Sequence, residues 1–439
     1  MNRIVYDVTQ LAHWPGRITG IPRVIDELAK RFNTLKGHDV VFAVWVKDLQ
    51  ALCEIDFEQT ILERKGLVYK YVGDSDIPQP VQGVTSSSPV GVSRRSLVKR
   101  AAKKGLRISG KFSPRIASKL EAQAKQLHMK TYRHIEFTSN DFLVIPWGEW
   151  WDQNFTDYVV ATHKENGMKI VQVIHDVAPT VWPQFFEQVA VSPTVYNSKV
   201  VPMAELVVCV SQNTKRELTA WLKQEKLHVP RIEVMRLGDD IKIASKPFPP
   251  HEEAFKISGL KGGDFLLAVG TVEAKKNHYL FYYVYKLAKQ RGIQLPKLVI
   301  LGRRGFHTDD MYDIMTRDPE VKDSFVFLHD ASDEEMTWAY EHCMFTVLAS
   351  FHEGWGIPIA ESVARGVPCL CSNTSSMVEI AEGKGVAHFA PTSSEECLQK
   401  ILEWVDDPKK LAAARAETKK YKPTKWDDTF AQVIKYMEI

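Results

Sequence analysis

Six cysteines in 439 residues, far apart except for Cys369 and Cys371, provide no framework for a disulfide-stapled protein. Cys369 and Cys371 flank Leu370 in GVPCLCS, which reads as a buried strand, so small core hydrophobes are preferred there over a metal or redox pair. No uninterrupted apolar run is long enough to span a bilayer, and the N-terminus shows no secretion signal, so a reduced, cytoplasmic protein is expected. The chain has no fixed-period repeat, which excludes a solenoid. It also has little net charge, only +3, and nothing in its average balance calls for nucleic acid.

That average conceals one concentration. Residues 85–135 hold thirteen Lys and Arg against a single acid, Glu121, a local +12 that leaves −9 for the rest of the chain. Within it, SRRSLVKRAAKKGLR read at about 100° per residue gathers Lys99, Arg100, Lys103, Lys104 and Arg107 on one face and Leu97, Val98, Ala101 and Ala102 on the other. This is the pattern of a helix lying on an anionic membrane surface, and it extends the expected location to the inner face of the cytoplasmic membrane. The preceding TSSSPVGV and the internal Gly105 keep a solvated helix or a disordered insertion open. No nucleic-acid motif accompanies the charge.

What the sequence has in quantity is alternation. Apolar residues make up 44% and charged residues 25%, the profile of a soluble globular protein with room for two domains. RIVYDVT, DVVFAVWV, DFLVIPW, KIVQVIHD and ELVVCVS read as strands. IPRVIDELAKRF reads as a helix with Val24, Leu28 and Phe32 on one face, and Ser211 is placed to cap the helix of QNTKRELTAWL. After the Pro- and Gly-rich SKPFPPHEEAFKISGLKGGD the alternation restarts with FLLAVGT, PKLVILG, SFVFLHD, MFTVLAS and PCLCS. The expected fold is α/β, with two facing Rossmann-like domains on either side of a deep cleft. The expected division is residues 1–245, a linker at 246–262, a second domain at 263–420, and a last helix at 421–439 crossing back.

The stretch SFHEGWGIPIAESVARGVP carries the chemistry. Glu353 follows a strand; Gly354 and Gly356 allow backbone to approach a ligand; Pro358 suits the first turn of a helix, with Ile357 at its start; and Glu361 lies one turn in. Free N–H groups at that helix start favour an anion such as phosphate. Two carboxylates around such a nest suit a molecule with phosphates in the middle and polyols at both ends, which describes a nucleotide-sugar. The alternative is a glycine-bearing loop with surface acids.

At these residues the chain resembles a retaining, metal-independent family 4 glycosyltransferase of the GT-B architecture. Ser350, Glu353, Gly354, Gly356, Pro358, Glu361, Gly366 and Pro368 match the family pattern. The resemblance implies that Glu353 contacts the transferred sugar and Glu361 the nucleotide ribose. LAVGTVEAKKNH resembles the family's phosphate loop, with Gly270 in its turn, implying that Lys276 binds the donor diphosphate with Lys275 beside it. Thr271 stands where many relatives have Arg, which leaves Lys275, Arg303 or Arg304 as the candidates for a second phosphate clamp. TGIPRV resembles the glycine loop after the first strand, with Gly20 near donor phosphates or acceptor. VIHDVAP resembles a loop whose His lies near the transferred sugar, which selects His175 and Asp176. TKWDDTFAQVIKYM resembles the C-terminal helix that returns to the first domain.

The resemblance implies front-face transfer of a hexose from a nucleotide-sugar, with no cofactor, to a glycan or lipid-linked oligosaccharide. The setting it implies is lipopolysaccharide or other surface-polysaccharide assembly, with GDP-mannose the favoured donor and UDP-hexoses and deoxysugar donors open. A nucleotide-sugar epimerase of the same fold and a non-catalytic nucleotide- or glycan-binding scaffold are the alternatives. Asp74-Ser75-Asp76 has the spacing of a metal-diphosphate motif but reads as a turn, so no metal is expected. The aromatics of YLFYYVY read as core, while those of PWGEWWDQNF are open to sugar stacking.

Overall fold

A computed structural model describes residues 2–14, 20–62, 133–186, 191–240, 260, 262–305, 308–329 and 331–439. The basic stretch with Lys99, Arg100, Lys103 and Lys104, the Asp74–Asp76 turn, and most of the 246–262 linker lie outside the described residues. The chain divides into two compact units, residues 1–41 with 137–439, and Phe42–Glu136.

The strands toward the N-terminus are β1 (Arg3–Asp7), β2 (Asp39–Val46), β3 (Ala51–Ile55), β4 (Arg133–His134), β5 (Phe142–Ile145), β6 (Lys169–Ile174), β7 (Leu206–Cys209) and β8 (Ile232–Val234). In the larger unit, β1, β5, β6, β7 and β8 pair in that order, all parallel, with Val5 opposite Leu143, Leu143 opposite Ile170 and Val173 opposite Val208. Helix α1 (Ile21–Asn33) starts at Gly20 (φ +60°), carries Pro22 in its first turn and buries Val24, Leu28 and Phe32 as the four-residue spacing predicts. In α2 (Gln153–Asn166), the Asp152 side chain accepts from Asn154 N–H; in α3 (Gln212–Gln224), the Ser211 hydroxyl accepts from Thr214 N–H at 3.0 Å.

The smaller unit is paired differently. There β2 and β3 are antiparallel, Val44 opposite Cys53, and β4 pairs antiparallel with β3. The reason is chain length. Only Lys47–Gln50 separate β2 from β3, whereas a parallel crossover needs a dozen or more residues.

The second sheet is built from β9 (Phe265–Val269), β10 (Lys297–Leu301), β11 (Phe325–Leu328), β12 (Thr346–Leu348), β13 (Cys369–Ser372) and β14 (Val386–Phe389). Their order in space is β11-β10-β9-β12-β13-β14, every pair parallel, so the strand order reverses between β9 and β12. Alternate residues bury both faces. Leu266, Ala268, Leu298, Ile300 and Leu370 pack with α4 (His278–Gln290) and the helix Ser394–Val405 through Phe281, Val284, Ile401 and Trp404. Phe265, Leu267, Val299 and Leu301 pack on the other face with Ala339 and Tyr340 of α5 (Asp333–His342). All six cysteines are free and buried, Cys369 and Cys371 among them as core residues of β13.

The chain continues from β12 into α6 (Ile357–Ala364) and ends in α7 (Trp426–Met437). Helix α7 lies against the first sheet's layer. Phe430 meets Phe32 of α1 edge-on at 4.9 Å, the Thr429 hydroxyl donates to Arg236 O, and the Tyr436 hydroxyl donates to Val234 O. Among the described residues no helix is long and apolar enough to cross a membrane.

Candidate active site

In open parallel sheets, ligands collect outside the carboxyl ends of the strands where their order reverses. In the second sheet that point lies between β9 and β12, and the two motif loops leave from there. The loop after β9 begins at Gly270 (φ +135°), and its backbone is crossed closely by its neighbour: a Cβ on Gly302 would lie 1.8 Å from Gly270 O. The loop closes at Asn277 in the left-handed region (φ 56°), whose amide donates to Ala349 O and Pro391 O. That clamp fastens the lysine loop to the end of β12. Phe351 N–H donating to Lys275 O at 2.9 Å fastens it again.

The result is a short ion pair. Lys276 Nζ stands 2.6 Å from Glu353 Oε1, with the two side chains 11% and 9% exposed. The Ser350 hydroxyl donates to the same oxygen at 2.6 Å, and Glu353 N–H donates to the Ser375 hydroxyl. Burial pushes the Glu353 carboxyl upward, but Lys276 and Lys275 outweigh it and hold the group below its ordinary value. Gly270 borders this pair, its Cβ position being 3.8 Å from Lys276 Nζ.

The loop after β6 meets this centre from the first sheet. A Cβ on Gly354 would lie 1.9 Å from His175 O, so only glycine permits the approach. Asp176 Oδ2 is 3.8 Å from Lys275 Nζ, and Glu273 Oε1 is 3.7 Å from it. Burial opposes charge on both Lys275 and Asp176, yet their mutual attraction and neighbouring groups win, raising the lysine and lowering the aspartate. His175 differs. Burial drives its imidazole down to about 4, so it is neutral, and its Nε2–H donates to Pro146 O at 2.8 Å. That hydrogen bond leaves Nδ1 as the lone-pair nitrogen.

Beyond the glycine turn, Gly356 (φ 101°) starts α6, with Ile357 and Pro358 in its first turn. Glu361 Oε2 accepts from the Tyr340 hydroxyl at 3.1 Å, and Glu361 Oε1 lies 3.4 Å from Arg23 Nη1. Arg23 sits three residues after Gly20, so the glycine loop of the first sheet reaches the second glutamate through that arginine. Arg304 stacks on Tyr312 at 4.5 Å and pairs with Asp309, and Lys275 is held by Asp176; Arg303, just past the end of β10, is exposed. Among the described residues no three His, Cys, Asp or Glu side chains are grouped to hold a metal.

Several groups escaped the sequence reading. Arg23, Tyr340, Ser375 and the Ser376 hydroxyl, which donates to Glu353 O and Trp355 O, bind the motif residues directly. Three further links join the two sheets' loops. The N-terminus of α3 donates Gln212 and Asn213 N–H to Glu379, the Thr214 hydroxyl donates to Gly354 O, and His352 Nε2 lies 2.8 Å from Glu217 Oε2. The polar run SNTSS at the end of β13 was the one available signal for Ser375 and Ser376.

Comparison with known proteins agrees with this geometry. Residues 250–421 match the family described as Glycosyl transferases group 1. The chain is 22% identical over 253 residues to the serotype-specific mannosyltransferase WbdA of Escherichia coli, covering 56% of this chain and 31% of that one. It is 27% identical over 175 residues to O-antigen chain mannosyltransferase B of Escherichia coli, covering 39% and 44%. The match therefore spans less than half the length of either relative. Among solved structures, Anabaena HepE in complex with UDP-glucose aligns over 100% of both chains with a TM-score of 0.62 at 14% identity, which supports the two-sheet GT-B fold.

Proposed function

We propose, from the premise that residues 250–421 are a group 1 glycosyltransferase domain, that the protein is a retaining, metal-independent hexosyltransferase. It would move mannose from GDP-mannose to a glycan or lipid-linked acceptor in surface-polysaccharide assembly. The second sheet, residues 263–420, would hold the donor; residues 1–245 would hold the acceptor, with 246–262 as linker and 421–439 as the returning helix. The observation that carries this reading is the Lys276–Glu353 pair at 2.6 Å where the strand order reverses. The mannose preference follows the names of the two relatives.

On this reading the protein supplies position and charge rather than a nucleophile. The acceptor hydroxyl attacks the anomeric carbon on the face from which the diphosphate departs, and the departing phosphate oxygen takes the hydroxyl proton. Lys276 meets the negative charge that grows on the leaving group. Glu353 orients the transferred sugar, Glu361 the ribose, and Arg303 would supply a second phosphate contact. Neutral His175 offers Nδ1 as an acceptor toward the sugar. The enzyme would work at the inner face of the cytoplasmic membrane, held there by Lys99, Arg100, Lys103 and Lys104.

The test is a panel of GDP-mannose, UDP-glucose, UDP-N-acetylglucosamine and dTDP-rhamnose, scored for thermal stabilisation and slow hydrolysis with and without chelator, the first-formed anomer being read by NMR. Selective hydrolysis of GDP-mannose to α-mannose, unaffected by chelator, is expected. A β-anomer would overturn retention, loss with chelator would overturn metal independence, and an isomerised sugar would make the protein an epimerase. Salt-reversible co-sedimentation with anionic but not neutral vesicles tests the membrane contact.

A further inference from the structure

Four of the eleven tryptophans stand together at the carboxyl ends of β1 and β5. Trp147 is the hub, with ring centroids 6.5 Å from Trp14 and 6.2 Å from both Trp150 and Trp151; Trp150 and Trp151 meet edge-to-face at 4.9 Å. None of the four is fully buried, and Trp151 is 36% exposed. An indole cluster formed only for packing would lie in the core, as Trp45, Trp404 and Trp426 do.

A polar floor lies with this cluster. Glu149, between Trp147 and Trp150, is buried and accepts a hydrogen bond from the Gln10 amide. Asp7, buried at the end of β1, accepts from Thr9 N–H and the Thr9 hydroxyl. Gly148 (φ +96°) makes the turn that sets Glu149 inward, and its Cβ position already lies 3.0 Å from the Tyr196 hydroxyl, which in turn donates to Gln172. Flat, partly open indoles beside carboxylate and amide groups match a pyranose, which has an apolar C–H face and equatorial hydroxyls. The two carboxylates disfavour a phosphate-bearing ligand, so this is not a second place for the nucleotide. The platform adjoins the candidate active site through one hydrogen bond, from His175 to the carbonyl of Pro146, the residue before Trp147.

We propose that Trp147, Trp150 and Trp151, with Glu149 and Gln10, form a platform that binds a neutral oligosaccharide and presents its terminal sugar to the centre at His175 and Glu353. This rests on the glycosyltransferase reading for the direction of presentation, while the binding itself is measurable alone. The experiment uses the full chain and four probes: α-mannotetraose, maltotetraose, cellotetraose and chitotetraose, followed by calorimetry and tryptophan fluorescence. At least one probe should bind the wild type. Trp151→Ala should weaken that probe tenfold or more with an unchanged melting temperature, and Trp150→Ala should do the same while Trp150→Phe restores most of the affinity. Failure of all four probes to bind the wild type would overturn the platform, as would wild-type affinity in both alanine variants. Thermal stabilisation by nucleotide-sugars in the same preparation separates the two ideas. Its absence would sink the transferase reading and leave the oligosaccharide measurement to decide the platform.

Discussion

Replacing Lys276 by Met removes the cation 2.6 Å from Glu353 while keeping the bulk of the side chain. Both groups are about nine-tenths shielded, so water is poorly placed to replace the lost partner. Leaving one charge of a buried pair uncompensated costs about 3–5 kcal/mol. At roughly 2.1 cal/mol/K per residue, the larger unit, residues 1–41 with 137–439, loses about 4–7 °C in melting temperature. The penalty has a pH signature. In the wild type the Glu353 carboxyl is held low, so its contribution is present above the unfolded carboxylate value and lost as pH falls through the lower folded value. In the variant burial is opposed only by Lys275 and the Ser350 hydroxyl, and the carboxyl rises. The stability gap between the two proteins should therefore be widest at pH 7–8 and narrow toward pH 5, as Glu353 takes up a proton. Adding Glu353→Gln to the variant removes the stranded charge and should recover most of the loss. Calorimetry of the four proteins of this cycle at pH 5, 6, 7 and 8 gives the answer. A gap that does not change with pH, or a double variant whose loss is the sum of the two single losses, would refute the electrostatic account.

Glu361→Ala should weaken binding of both the nucleotide-sugar and the free nucleoside diphosphate by about 10–100-fold, the scale of one lost charge-assisted hydrogen bond, as read by calorimetry. Glu353→Gln should instead spare nucleotide affinity and lower kcat; equal effects of the two variants would dissolve the division of roles. Burial lowers the basicity of His352, but Glu217 and the nearby Asp176 and Glu353 overcome it, so its imidazole is raised and the His352–Glu217 link is complete below the ordinary histidine value. The link weakens as pH rises through the higher folded value, so thermal melts should show the wild type losing part of its margin over His352→Gln as the pH is raised; a margin that does not change with pH would refute the charged link. Gly354→Ala should lose activity while keeping a cooperative melt, because its Cβ would need the place of His175 O, 1.9 Å away.

Local chemistry made most of the fold legible. Val24, Leu28 and Phe32 at four-residue spacing, Ser211 before α3, and the apolar runs LLAV, LVIL and CLC each decide their own element, since burial on a helix stripe or on both faces of a parallel strand is written into consecutive residues. β3 and β4 were missed although the four residues between β2 and β3 permit only a hairpin. β14 was missed because VAHF is too short and too polar to announce a strand. The motif loops were legible because glycine, proline and glutamate occur there at fixed offsets. Their partners were not. Arg23 and Glu361 are 338 positions apart, and Lys276 and Glu353 are 77 apart. Nothing periodic marks Tyr340, Glu217 or Glu379 as belonging to the same place, because that is settled by how the sheets' loops pack and not by either segment alone.

The charges in this place are already paired within the chain: Lys276 with Glu353, Lys275 with Asp176 and Glu273, Arg23 with Glu361. A diphosphate arriving at Lys276 must therefore compete with a carboxylate, and a ribose arriving at Glu361 must compete with an arginine. The net affinity is a difference between two sets of charge-assisted contacts, not the sum of the new ones. Such exchange has a direction. If phosphate draws Lys276 away from Glu353, the carboxylate gains room for sugar hydroxyls; if the ribose takes Glu361, Arg23 in the first turn of α1 is released toward the incoming anion. Each half of a nucleotide-sugar would thereby free the group its other half needs, so nucleotide and sugar should bind more tightly joined than their separate affinities imply. Because Arg23 and Asp176 come from one sheet and their partners from the other, the same exchange ties donor binding to the contact between the two sheets' loops.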